Sequence, residues 1–270
     1  MKKTILVMAA VAAAASLLAA EDIAGIRAQL QARYAKFDKL VKDLKMDMDV
    51  SMAVSEEKGK KGAKDGAETM TSVNTMYYKE PKFRMDSRMS MGPKGGEMTT
   101  TVIFDGTDMW LISMMGSHKL AAKDQAKYQK DRSWKWWTYL TEGGSVTGSE
   151  EVGGRDCWVI GFAQPTEKDA ARPPFSRLWL DKEKLVQVKA EFPIDKGKTG
   201  MALYSDVKPA IGKLEMPHKT EMYADGKLAM TSVIRSIEYN KGLADDLFDA
   251  KKAKGQSKGF GDLFKGMGGQ

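Results

Sequence analysis

The sequence predicts a mainly β protein: an antiparallel β-barrel, open or closed, of about 11–12 strands, with an N-terminal helix and a mid-chain helix. Three observations predict it. In the first, Phe83, Met85, Ser87, Met89 and Met91 alternate with Arg84, Asp86, Arg88 and Ser90. Side chains point to opposite faces of a strand in turn, so this run builds one greasy wall and one wet wall. In the second, Met46, Met48, Val50, Met52 and Val54 repeat the pattern between Asp47, Asp49, Ser51 and Ala53. In the third, turn signals separate about a dozen such runs and a helix-like stretch interrupts them once, the rhythm of a barrel rather than a helical fold. Methionine is unbranched and adaptable, and a one-layer curved sheet lined with it is a container for something apolar.

Lys2 and Lys3 precede an almost wholly apolar run from Ile5 to Ala20, and charge returns at Glu21 and Asp22. This is the build of a secretory signal, residues 1–20, with cleavage after Ala20 and Leu18 at the minus-three place. No Cys lies near the cut, so a lipoprotein-type signal is not expected. The apolar run falls short of the ~20 residues of a spanning helix. The expected location is the periplasm.

Ile23, Ile26, Leu30, Tyr34, Phe37, Val41 and Leu44 are spaced by three and four, which predicts an amphipathic helix over Asp22 to Leu44. It either packs on the sheet or plugs a cavity, and the stripe fits both. Strands are expected at Lys45–Ser55, Glu68–Lys79, Lys82–Met91, Glu97–Phe104 and Asp108–Ser113. The Gly/Lys-rich loop Glu56–Ala67, the break at Glu80-Pro81, the turn Gly92–Gly96 and the dipeptide Asp105-Gly106 separate them. Lys123 to Leu140 reads as helix and ends in Trp134, Trp136, Trp137 and Tyr139. The tryptophans suit either an ordinary core or a lid whose amphipathic rings meet lipid. Strands resume at Ser145–Val152, Cys157–Gln164, Ser176–Asp181, Leu185–Phe192, Thr199–Val207, Pro217–Tyr223 and Lys227–Tyr239. Residues 251–270, Lys/Gly-rich with Phe260, Leu263 and Phe264, are expected to be a disordered tail.

The formal charge of +7 falls to +5 once the two signal lysines are removed. Much of that excess lies in Lys58–Lys64 and Lys251–Lys258, which suits solvated segments and transient contact with an anionic membrane surface rather than nucleic acid. The single Cys157 permits no internal disulfide, and beside Trp158 in a strand pattern it reads as a buried thiol. Only two histidines, His118 and His218, are present, and neither stands in a His-Glu-x-x-His pattern. Gly197-Lys198-Thr199 mimics the end of a phosphate loop, but Phe192 stands where the loop's first glycine belongs. Ser117-His118 has no third partner and no nucleophile elbow, so no enzyme and no cofactor is expected. Methionine leaves one rival open: Met46-x-Met48 and Met89-x-Met91 set soft thioethers side by side, as a Cu(I) site in an exported protein would.

Tyr78-Lys79-Glu80-Pro81-Lys82-Phe83-Arg84 resembles the strand–proline–strand segment of the LolA/LolB-like lipoprotein carriers, and Val102-Ile103-Phe104-Asp105-Gly106-Thr107-Asp108-Met109-Trp110 resembles their next hairpin. Leu178-Trp179-Leu180-Asp181 with Leu185-Val186 is similar to a later strand pair of that family, and Asn240, Leu243 and Phe248 to its closing segment. The resemblance implies an unclosed half-barrel domain over residues 21–250 that holds lipid or lipoprotein acyl chains in a hydrophobic cavity under helices; an envelope membrane protein or another acceptor is a further expected partner. The long Lys-rich loop and the methionine-heavy walls mark a divergent member. The expected lining is Met46, Met48, Phe83, Met85, Met89, Phe104, Trp110, Trp158, Ile160 and Trp179, and the expected lid residues are Trp134, Trp136 and Trp137. A lipid-sensing regulator that binds a partner protein is the other reading of the same fold.

Overall fold

The computed structural model describes residues 22–53, 69–90, 96–121, 125, 140, 144–162, 175–195, 198–212 and 214–254. The expected signal, the Lys-rich loop, the lid tryptophans Trp134, Trp136 and Trp137, and residues 255–270 of the expected tail lie outside them.

Helix α1 spans Ile23–Leu40, with Asp22 as its N-cap accepting from the Ala24 amide. An aspartate oxygen there satisfies one of the first-turn amides that have no helical partner. Ile26, Leu30 and Tyr34, one turn apart, are buried. The helix ends four residues before the expected Leu44. Asn240 closes it: its side-chain amide donates to the Leu40 carbonyl and its oxygen accepts from the Lys42 amide. Val41 and Leu44 keep helical spacing with Phe37, but they begin the buried wall of the first strand, with Met46 and Tyr78.

Thirteen strands form one antiparallel sheet. The first six are β1 (Asp43–Ala53), β2 (Thr69–Lys79), β3 (Lys82–Ser90), β4 (Glu97–Phe104), β5 (Met109–Ser113) and β6 (Gly116–Lys119). The second seven are β7 (Gly144–Val152), β8 (Arg155–Phe162), β9 (Arg177–Asp181), β10 (Gln187–Asp195), β11 (Lys198–Pro209), β12 (Glu215–Ala224) and β13 (Lys227–Tyr239). The order is β6-β5-β4-β3-β2-β1-β13-β12-β11-β10-β9-β8-β7. Two meanders thus join where β13 pairs with β1, and among the described residues β6 and β7 are the edge strands of an open sheet. Strand β6 is the one the sequence did not predict.

Directly opposed residues of paired strands share a face, so the register assigns the two walls. Val146, Ile160, Leu178, Ala190, Ala202, Met222, Met230, Met52 and Met70 form one row of successive partners across nine strands. Helix α1 packs on this face: Ile26, Leu30 and Tyr34 join Trp158, Ile160, Phe162, Leu178, Leu180, Ala190 and Ala202 in one buried cluster. The Tyr34 hydroxyl donates to the Leu185 carbonyl and the Arg27 guanidinium to the Leu140 carbonyl, which pins the helix at two points. We call this face inner.

The outer face is not the uniformly wet wall that the alternation predicts. Over β2–β5 a C-terminal strap covers it: a 3-10 turn at Asp245–Phe248 followed by helix α2, Ala250–Lys254. The ordered domain therefore reaches into the first four residues of the expected tail. Phe248, Ala250 and Ala253 are buried against Ile103 and Ile112. The buried Asp43 carboxylate accepts the amides of Lys241, Gly242 and Leu243 at 2.7, 2.9 and 3.3 Å. Arg84, on the wall expected to be wet, is only 8% exposed. It donates to the Leu247 carbonyl and to both oxygens of Asp86, a charge-assisted contact that lets a guanidinium sit under the strap.

Candidate functional site

The inner face of β1–β5 is built by the period-two runs themselves. Because the partners are Met46↔Met76, Met76↔Met85 and Met85↔Val102, one row of it is thioether-rich across four strands. A second row, Leu44↔Tyr78, Tyr78↔Phe83 and Phe83↔Phe104, is aliphatic and aromatic. Met89 lies opposite Met98 nearer the other end of the strands. Between these apolar rows runs a polar one, Asn74, Ser87 and Thr100. The Asn74 amide donates to the Ser72 hydroxyl at 3.1 Å, and both residues are buried. The wall is apolar with an internal hydroxyl and amide stripe.

The structure brings eight of the ten expected lining residues onto this face. Met46, Met48, Phe83, Met85, Met89 and Phe104 share it on the β1–β4 side, and Trp158 and Ile160 share it in the core under α1. Two expectations are corrected. Trp110 pairs with Ile103, opposite Arg84 in turn, and lies on the outer face, packed with the strap cluster. Its indole N–H donates to Asp105 at 3.3 Å. Trp179 is likewise on the outer face, with Cys157, Val159 and Val188. Its indole donates to Glu150 at 2.7 Å, and the Lys189 ammonium sits 3.9 Å from its ring centroid. Both tryptophans sit in strands that are apolar on both faces, where alternation gives no sign of which way a ring points.

Burial differs across the inner face. Under α1, Ile160, Leu178, Leu180 and Ala190 have no exposure, whereas Met48, Met52, Met70, Met85, Met89 and Met98 are only partly buried. Among the described residues the β1–β5 side is a wall, and the stretch expected to cover it lies outside them. Two surface recesses lie elsewhere. One, of about 490 Å³, lies between the Gly153-Gly154 turn and Lys182–Lys184, where Arg155 and Lys182 are paired with Asp181 and Asp156. The other, of about 250 Å³, follows the seam between the strap and Lys82, Asp105 and Trp110.

Three phenols lie on the inner side of the sheet. Burial pushes the Tyr34, Tyr204 and Tyr239 hydroxyls up to about 12, so all three stay neutral at physiological pH. The Cys157 thiol, fully buried on the outer face, is pushed up to about 11, first by burial and then by Asp181 and Asp156, and is not a nucleophile. Among the described residues no group of three or more His, Cys, Asp or Glu could hold a metal ion. No helix among them is long and apolar enough to cross a membrane.

Comparison with known proteins agrees with this geometry. A family profile whose description reads only "Uncharacterized protein" matches residues 113–253, just over half of the chain. No curated protein matches the chain by sequence. Among solved structures, a domain from Vibrio parahaemolyticus described as an outer membrane lipoprotein-sorting protein domain is 15% identical. It aligns over 84% of this chain and 97% of its own length, with a TM-score of 0.58. A LolA superfamily protein from Nitrosomonas europaea is 13% identical over 82% of this chain and 97% of its own, with a TM-score of 0.46. The chain thus belongs to the family that the profile defines, and its open-sheet fold is similar to that of the Vibrio domain.

Proposed function

We propose that this protein is an exported, non-enzymatic carrier that holds lipid or lipoprotein acyl chains against the inner face of β1–β5. The observation that carries the reading is the shared face of Met46, Met48, Phe83, Met85 and Met89, where Met46 is buried and the other four are half-buried beside the helix-sealed core. The lipoprotein-sorting description of the Vibrio domain supports the cargo class, and the N-terminal segment supports export to the periplasm. The energetics are sufficient. At ~0.8 kcal/mol per buried methylene, a sixteen-carbon chain gains about 12 kcal/mol before ordering costs. Release then requires an acceptor or a moving cover, for which the stretch bearing Trp134, Trp136 and Trp137 is the proposed part.

The test places a charge on each wall. Met85→Glu puts a carboxylate on the inner face, where it must be desolvated on cargo binding, whereas Arg88→Glu alters an exposed pair with Glu97 on the outer face. Uptake of a fluorescent long-chain fatty acid is expected to fall at least tenfold in Met85→Glu and to change less than twofold in Arg88→Glu, with both folded by circular dichroism. Equal losses from the two variants would refute the assigned wall.

A further inference from the structure

The register reveals a feature no single strand displays. Met70, Met52, Met230 and Met222 are successive direct partners on β2, β1, β13 and β12, so four thioethers stand side by side on one face. They come from segments up to 178 residues apart in sequence, and folding alone brings them together. Several other methionines are packed into buried clusters. Met46, Met48, Met76 and Met216 pack in the cluster around Val41, Leu44 and Tyr78, and Met109 in that around Val102 and Phe104. Met52, Met70 and Met230 join none of the buried clusters of the described residues, and only Met222 touches one, at its margin. All four are partly exposed. None of the four is among the fully buried residues of the described chain.

We propose that this ladder is a thioether site for a soft monovalent cation, Cu(I) or Ag(I). Opposed residues on paired strands hold their Cβ atoms about 5 Å apart. Two flexible bonds beyond Cβ let neighbouring methionine sulfurs turn toward a common ion. Thioether sulfur is a soft, uncharged ligand that favours Cu(I) over harder divalent ions. No His, Cys, Asp or Glu set among the described residues offers those harder ions a competing site. The site lies toward the Ala53 and Thr69 ends of β1 and β2, away from the apolar row of Leu44, Tyr78, Phe83 and Phe104. It is independent of the acyl-chain reading and is tested without lipid.

The probe is the metal alone: Ag(I) by calorimetry and native mass spectrometry, and Cu(I) under anaerobic conditions against a colorimetric chelator. The expected result is one ion per chain. The double variant Met52→Leu with Met230→Leu, close in volume and apolar, is expected to weaken binding at least a hundredfold, and Met76→Leu to change it less than twofold. Because thioethers carry no proton at neutral pH, affinity is expected to be flat between pH 5.5 and 7.5, unlike a site using His218 or His118. No binding, binding retained in the ladder variant, equal weakening by Met76→Leu, or affinity that falls with pH and disappears in His218→Gln would each overturn the proposal. Circular dichroism establishes that each variant is folded.

Discussion

Along one row of opposed side chains the inner face changes chemistry halfway across the sheet. From β7 to β11 it reads Val146, Ile160, Leu178, Ala190 and Ala202, and from β12 to β2 it reads Met222, Met230, Met52 and Met70. The first half lies under α1, with Ile160, Leu178 and Ala190 at zero exposure. The methionines of the second half, with Met85, Met89 and Met98 on β3 and β4, stay partly exposed and share the face with the buried Ser72 and Asn74 and with Ser87 and Thr100. The difference teaches where stability and where binding are placed. Branched aliphatic side chains with few rotamers fix a helix onto the sheet, and a surface that must accept a changing partner uses the unbranched side chain that repacks at low cost.

The sharpest way to break this comparison is to make the same kind of deletion on both sides. Leu178→Ala removes a fully buried side chain under α1 and is expected to cost about 3–5 kcal/mol of unfolding free energy in urea. Met85→Ala, on the partly exposed half, is expected to cost under about 1.5 kcal/mol. Equal costs would mean that the methionine half is core like the other.

A smaller effect comes from alkaline pH. Tyr34 on α1 and Tyr204 on β11 are both in the helix-covered half, and burial raises both phenols to about 12. A folded-state pKa above the ordinary value near 10 means the contribution to stability is complete below pH 10 and is lost as pH rises toward 12. Amide exchange of α1 is therefore expected to quicken above pH 10, after correction for base catalysis, ahead of exchange in β2 and β3. Prior loosening of β2 and β3 would reverse the assigned order of the two halves.

The smallest effect sharpens the picture of the outer layer behind α1. Lys189→Ala removes the ammonium over Trp179 and is expected to cost under about 1 kcal/mol, with a change in tryptophan emission that is absent in Trp179→Phe.

Twelve of the thirteen strands were legible because alternation and turn residues recur together, as at Lys82–Ser90 and Lys227–Tyr239. Strand β6 was not, because Gly116-Ser117-His118-Lys119 carries no apolar alternation and pairs with β5 through its backbone. The expected helix overran because Val41 and Leu44 continue the three-and-four spacing past its end, whereas the chain leaves the helix at Leu40, whose carbonyl is tied to Asn240, 200 residues away. Within the candidate site, the one-sided runs of β1 and β3 gave the inner wall directly. Trp110 and Trp179 did not follow, since Met109-Trp110-Leu111-Ile112 and Leu178-Trp179-Leu180 are apolar on both sides. The methionine ladder exists only in the register between distant strands, which no local pattern encodes.

The account turns on cargo lying against the methionine half of the inner face, and the methionines report on this themselves. With methyl-labelled methionine, a spin-labelled long-chain fatty acid is expected to broaden the methyl resonances of Met85, Met89, Met48 and Met76 on the inner wall of β1–β3. Met201, on the outer face opposite Glu191 and Tyr223, is expected to stay sharp. Broadening of Met201 to the same degree, or none on the inner wall at saturating ligand, would contradict it.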